Sequence, residues 1–166
     1  SPEPHVGLRP QIEDPENNKF PTPSGKIELF CQDIADIGAP DILPAVPKYI
    51  EMWEGVSDPL REKYPLQLLT PHSRKRIHSQ LHEIPWLRKM EPHTIWINSA
   101  DASARGIRDG DEVKVFNDRG TVLIPAKVTA RVMPGVVCIY EGAWYSPDAS
   151  GVDCGGCANV LTRPEH

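Results

Sequence analysis

From Thr94 to Tyr140 the chain alternates short strand-like runs with turns built on glycine, and this cadence limits its folds more than any other feature. Thr94-Ile95-Trp96-Ile97, Glu112 to Phe116 and Thr121 to Thr129 alternate residues in the two-residue period of a strand, and Val136 to Tyr140 is a fourth run of β-formers. Between them stand Ile107-Arg108-Asp109-Gly110-Asp111, Asn117-Asp118-Arg119-Gly120 and Met133-Pro134-Gly135, which suit tight turns. Gly110 is expected to serve the backbone angles of its turn, and Asp111 to cap it. The register expected across the second turn sets Val113 and Val115 against Val122 and Ile124. One segment departs from the pattern. Asn98 to Gly106 has the punctuation of a short helix, with Asn98 or Ser99 as cap, Asp101 in the first turn and Gly106 ending it in the left-handed conformation. Many short strands with one brief helix predict a small closed β architecture, because closure removes edges. The 18 prolines in 166 residues, about twice the usual ~5%, fit short strands and turns better than long helices.

The length allows one domain or at most two. Residues 1–63 read as a Pro-rich N-terminal arm or linker, with a turn at Ser24-Gly25, a hairpin or edge strand over Lys26 to Phe30, and a helical turn over Gln32 to Ile37 that ends at Gly38. The compact domain is expected over residues 64–166. The opening Ser1-Pro2-Glu3-Pro4-His5 has no Met and reads as a cut into a longer protein. A net charge of −5 argues against generic nucleic-acid binding, and no apolar run approaches membrane-spanning length.

The chemistry concentrates in Pro65 to Ser79. Leu66 to Thr70 is a nearly continuous apolar run, which predicts a strand buried on both faces. Beyond Pro71 come His72, Ser73, Arg74, Lys75, Arg76, His78 and Ser79, a dense set of hydroxyls, imidazoles and cations. Such a set delivers hydrogen bonds to one place, as an anionic, heteroatom-rich ligand requires. Leu81 to Met90, interrupted by Pro85, is expected to be a short irregular or helical segment shielding that place. The tail supplies a second polar group, Gly151-Val152-Asp153-Cys154-Gly155-Gly156-Cys157-Ala158-Asn159-Val160-Leu161-Thr162. Its glycines permit close approach to a flat ligand, and the Asn159 amide both donates and accepts. Trp144 and Tyr145 stand before it as a wall for a ligand or as core aromatics.

Four segments in order carry a resemblance: Thr22-Pro23-Ser24-Gly25-Lys26-Ile27-Glu28; Thr70-Pro71-His72-Ser73-Arg74-Lys75-Arg76-Ile77-His78-Ser79; Ala104 to Gly120; and Gly155-Gly156-Cys157-Ala158-Asn159-Val160-Leu161-Thr162. Together they resemble the C-terminal, dinucleotide-binding domain of the dimethyl sulfoxide reductase family of molybdenum oxidoreductases. The resemblance implies a mainly β fold, a six-stranded closed double-psi β-barrel with short helices. It implies that Thr70, His72, Ser73, Arg76, His78, Ser79 and Asn159 line molybdopterin guanine dinucleotide (Mo-bis-MGD), with Arg76 the best candidate for charge pairing. It places no catalytic residue and no molybdenum ligand in this chain, and puts any iron–sulfur cluster in upstream parts of the same polypeptide. The parent enzyme would reduce an S-oxide or N-oxide by oxygen-atom transfer, with upstream domains of the same chain, an iron–sulfur electron-transfer subunit and a membrane anchor subunit as partners. It would sit at the membrane, periplasmic or on the outer face of the cytoplasmic membrane, and the fragment alone would be soluble and not catalytic.

Cysteine and histidine spacing keeps a second reading open. Cys154 and Cys157 have ligand spacing, and His78 and His82 stand four apart, so a free-standing zinc-binding or protein-interaction β-barrel module could use these four. Against it, the histidines precede the cysteines by more than seventy residues, unlike a zinc finger. No metal ligand is therefore assigned, and the chain is expected to stay folded in chelator. Cys138, inside an apolar strand, reads as a buried small hydrophobe. His5, His93 and His166 carry no usable pattern.

Overall fold

The computed structural model describes residues 4–163; Ser1–Glu3, which opens the expected arm, and Pro164–His166, which closes the expected barrel domain, lie outside the described residues. The chain divides into two compact units, Ser1–Met52 and Trp53–His166.

The first unit holds α1 (Arg9–Glu13) and α2 (Gln32–Ile37). Gly38 ends α2 with φ 74°, the left-handed stop that its sequence predicts. Gly25 closes its turn by donating to the Thr22 carbonyl. The strand expected at Lys26 to Phe30 does not form. Ile27 and Leu29 are exposed, and among the described residues no neighbouring strand supplies ladder partners, which an alternating pattern needs before it can become a strand.

The second unit is a small mixed α/β body around one curled, half-barrel sheet with a few short helices. Its elements are β1 (Gln67–Leu69), α3 (Pro85–Met90), β2 (Ile95–Ile97), α4 (Ser99–Ala104), β3 (Glu112–Phe116), β4 (Thr121–Val128) and β5 (Val136–Ile139). The sheet order is β1-β5-β2-β4-β3, with β1/β5 and β2/β4 parallel and β5/β2 and β4/β3 antiparallel. The sequence reading expected six strands; the sheet has five, with β1 and β3 at its edges. Beside the start of β4, where β2 no longer reaches, a single parallel bridge from Val122 to Asp153 extends the pairing.

Local chemistry explains the elements that formed as expected. Asn98 caps α4 by accepting from the Ala100 N–H, and Gly106 follows the helix at φ 66°. Asn117 closes the β3–β4 turn, its Oδ1 accepting from the Arg119 and Gly120 amides, and the register sets Val113 opposite Ile124 and Val115 opposite Val122. Gly110 sits at φ 88°, while the Asp111 carboxylate accepts from the Arg108 N–H to close that turn. Pro85 begins α3 instead of interrupting it, because a missing N–H costs nothing at the first helical position.

The core gathers Ile95 and Ile97 of β2, Val122, Ile124 and Ala126 of β4, and Val137 and Ile139 of β5, closed by Ala102 of α4 and by Ala158 and Leu161 of the tail. Burying Val and Ile side chains of this kind contributes roughly 1.5–3 kcal/mol each. The tail is held from outside as well. The Leu161 carbonyl accepts from Asn117 Nδ2 at 2.7 Å and from Arg119 Nη2 at 2.7 Å, and the same guanidinium forks onto Glu54 at 2.5 and 3.0 Å. One strand differs from expectation in its burial. β1 is an edge strand with Gln67 and Leu69 exposed, so the apolar run from Leu66 is half covered instead of buried on both faces.

Candidate functional site

Parallel pairing of β1 with β5 sets Leu69 beside Cys138, so both strands leave the sheet at the same end. The loop after β1 and the tail after β5 must therefore start side by side. They are joined there: the Glu141 N–H donates to the Pro71 carbonyl at 3.1 Å.

The loop then folds into a tight turn closed by the Ile77–Gln80 bridge. His78 occupies its first corner with φ 51°, a left-handed conformation that costs a non-glycine residue roughly 1–2 kcal/mol. The tail lies directly on this turn. Gly142, at φ 83°, passes so close that a Cβ would come within 2.0 Å of the His78 carbonyl oxygen, and Trp144 Nε1 donates to the Ser79 carbonyl at 2.8 Å. Glycine is required at position 142 on both counts.

Two side-chain clusters result. In the outer one, Glu141 Oε1 lies 2.6 Å from His72 Nδ1 and 3.0 Å from His78 Nδ1, and the imidazoles stand edge to face with centroids 5.0 Å apart. In the inner one, Arg76 Nη1 donates to His82 Nδ1 at 2.8 Å and Nη2 donates to His93 Nδ1 at 3.4 Å. His93 Nε2 in turn donates to the Gly156 carbonyl at 2.8 Å. That bond fixes the tautomer, since a ring that donates through Nε2 while neutral keeps a lone pair on Nδ1 for the guanidinium. Burial, then the positive charge of Arg76, pushes the His82 imidazole below its ordinary 6.5. Burial also lowers His93; the Gly156 carbonyl opposes that shift and Arg76 adds to it. Both rings are thereby kept neutral as acceptors. Burial likewise lowers Arg76 from its ordinary value, against Glu91 and Glu141, yet a guanidinium so placed remains a cation.

A cleft runs over the inner cluster between Ser73, Lys75, Arg88 and Glu91. A second groove joins the cations Arg74, Lys75 and Arg76 to the apolar Leu81, Ile84 and Trp86. Cations beside an exposed indole offer charge pairing and a flat apolar wall in one surface.

The residues singled out from sequence divide accordingly. His72, Arg76 and His78 contribute the side chains described above. Ser73 is buried, its hydroxyl donating to Glu91 Oε2 and accepting from the Lys75 N–H, so it holds the loop's shape. Thr70 is exposed at the end of β1, and Ser79 is exposed and offers its carbonyl to Trp144. Asn159 is exposed on a 3-10 turn, Ala158–Val160, and lines neither cleft; the tail meets the inner cluster through Gly156 instead. The four residues of the zinc alternative do not assemble: His78 faces Glu141, His82 faces Arg76, and among the described residues neither Cys154 nor Cys157 joins a group of three close ligands. Cys138 is buried, and burial pushes its thiol above the ordinary value.

Sequence reading missed Glu141, His93 and Asp153. The fully buried Asp153 shapes the tail: its carboxylate accepts from the amides of Ser146 at 2.7 Å, Gly155 at 3.0 Å and Cys157 at 2.6 Å, while its own backbone bridges β4. The turn so formed presents the Gly156 carbonyl to His93, and Gly156 itself touches that ring, where a Cβ would meet it at 2.5 Å. Only the glycine pair beside Asp153 signalled this from sequence.

Comparison with known proteins bears on the same stretch. A family profile described as "Molydopterin dinucleotide binding domain" matches residues 66–166. The chain is 49% identical over 164 residues to dimethyl sulfoxide reductase DmsA of Escherichia coli (strain K12), covering 95% of this chain and 20% of that protein. It is 45% identical over 161 residues to trimethylamine-N-oxide reductase 1 of the same organism, covering 90% and 19%. The solved structure of acetylene hydratase from Pelobacter acetylenicus superposes with a TM-score of 0.64 at 25% identity, over 86% of this chain and 20% of that one. The chain thus spans about a fifth of the length of the relatives it matches.

Proposed function

The chain belongs to the molybdopterin dinucleotide-binding domain family, and on that premise we propose that it binds molybdopterin guanine dinucleotide through the loop that follows β1. The observation that carries this reading is the convergence, at one end of the parallel pair β1/β5, of a cation-rich loop and a glycine-rich tail.

The donor set fits the group. Arg74, Lys75 and Arg76 supply charge for phosphates, and the guanidinium fork of Arg76, steadied by two neutral imidazoles, matches phosphate or pterin oxygens. Trp86 and Leu87 give a flat fused ring an apolar face. His72, His78, Thr70 and Ser79 stand exposed along the loop as further donors and Ser73 holds its shape, while Asn159, exposed on the tail, is a donor only for a ligand that reaches beyond the cleft. When bound, the cofactor supplies the redox chemistry; this chain's residues supply binding, orientation and charge. No residue of this chain is assigned to molybdenum.

On the same reading, the dinucleotide-binding domain spans residues 64–166, and its half-barrel sheet is the double-psi barrel of the family, with Asp153 at the position of the missing strand. The parent is a dimethyl sulfoxide or trimethylamine-N-oxide reductase catalytic subunit, which the similarity to DmsA and to trimethylamine-N-oxide reductase 1 supports; its upstream domains, iron–sulfur subunit, membrane anchor and place at the membrane follow from the family resemblance alone. The isotope-labelled chain titrated with GDP, the nucleotide half of the cofactor, tests the binding claim by NMR. Saturable amide shifts over Thr70 to Ser79 and Gly155 to Asn159 are expected. Shifts confined to other regions, or none at millimolar GDP, would overturn it.

A further inference from the structure

We propose that His72, His78 and Glu141 form a binding site for a divalent transition cation of the zinc class. One ring nitrogen of each imidazole and a Glu141 carboxylate oxygen all lie within 4.8 Å of one another. Two imidazoles and a carboxylate, with a fourth position open to water, form one of the recurrent donor sets for zinc. The mixed nitrogen and oxygen donors favour such a cation over calcium or magnesium, which select oxygen alone.

The fold brings these residues together from both sides of the β1/β5 pair. Sequence spacing had paired His78 with His82, four residues on; the structure pairs it with Glu141, 63 residues away, and gives His82 to Arg76. Glu141 is anchored by its N–H on Pro71, and His78 by the turn on which Gly142 rests. Both imidazoles point their Nδ1 atoms at the same Glu141 oxygen, at 2.6 and 3.0 Å. Bond lengths of about 2.0–2.2 Å to a tetrahedral ion separate donors by roughly 3.3–3.6 Å, so the two imidazole–Glu141 distances must open by about 1 Å or less while the two imidazole donors, within 4.8 Å of each other, settle to the same separation. The imidazole side chains are 71% and 72% exposed, which leaves that movement and the approach of an ion unobstructed.

The metal geometry does not rest on the dinucleotide assignment, but the site shares His72 and His78 with it, so the two ligands would compete. Because the cluster is exposed and is not part of the core, the ion binds without being needed for folding, unlike a structural zinc.

Calorimetric titration of Zn²⁺ into the metal-free chain at neutral pH tests this, with Co²⁺ absorption as a second reading. One ion per chain with a Kd on the order of micromolar is expected. His72→Ala, His78→Ala and Glu141→Gln should each weaken binding roughly tenfold or more, while the double variant Cys154→Ser, Cys157→Ser binds like the parent and the Co²⁺ spectrum lacks a thiolate charge-transfer band. Circular dichroism confirms that each variant is folded. No saturable binding, binding unchanged by Glu141→Gln, or loss of binding in the cysteine variant would overturn the proposal.

Discussion

Gly142 and the His78 carbonyl share a space with no room for one more carbon: a Cβ at position 142 would lie 2.0 Å from that oxygen. This contact seats the tail on the loop after β1, and with it both side-chain clusters. Gly142→Ala must push the two backbones apart and also strain a φ of 83°. A loss of roughly 2–4 kcal/mol in chemical denaturation is expected, with an altered Trp144 environment in fluorescence. A variant as stable as the parent would show that the contact is not held in solution.

The neutral imidazoles make stability depend on pH in a definite direction. His82 and His93 are lowered from 6.5, so the folded chain binds fewer protons than the unfolded one just below that value. Their contribution is full above about pH 6.5 and falls as pH drops through the folded values. Asp109, Asp118 and Asp148, lowered from 3.8, lose their contribution at more acid pH, below the imidazole window. Denaturation midpoints between pH 7.5 and about 5 should therefore decline. The slope should shrink in His93→Gln, and the ring signals of His82 and His93 should titrate below an exposed histidine's.

Asp153 is the residue on which the tail turn depends. Its carboxylate is fully buried and accepts three part-buried backbone bonds, so Asp153→Ala leaves three amide groups without partners and should cost about 3–5 kcal/mol. Asp153→Asn keeps an acceptor for Ser146 and Gly155 but turns an amide group toward the Cys157 N–H, and should lose less. Denaturation ranks the pair, and amide exchange at Gly155 and Cys157 should accelerate in both.

What was legible in the sequence was local. The cap at Asn98, the stop at Gly106, the Asn117–Gly120 turn and the register of Val113 and Val115 all follow from residues within a few positions of one another. What was not legible depends on distant partners. The apolar run at Leu66 looked doubly buried, yet its place at the sheet edge is decided by β5, some seventy residues on. The missing strand at Lys26 to Phe30 had the right alternation and no partner. His93 had no pattern at all, because the groups that give it a role, Arg76 and Gly156, lie 17 and 63 residues away. The cation-rich loop was recognisable from composition, but which of its members face outward was not: Ser73 turned inward to Glu91, and Asn159 stands apart from the cleft.

The central claim is that Arg76, poised by His82 and His93, holds the dinucleotide. It is tested most directly by the pterin content of the full-length protein that carries this domain, purified from cells that make the cofactor. Pterin released per chain is measured by fluorescence for the parent, for Arg76→Ala, and for Arg105→Ala, a control at the C-cap of α4. A charge-assisted hydrogen bond contributes about 1.5–3 kcal/mol, so Arg76→Ala should hold the cofactor roughly ten- to hundredfold more weakly and lose it on dilution, while melting within a few degrees of the parent. Arg105→Ala should match the parent. Equal pterin retention in the parent and a folded Arg76→Ala protein would contradict the account.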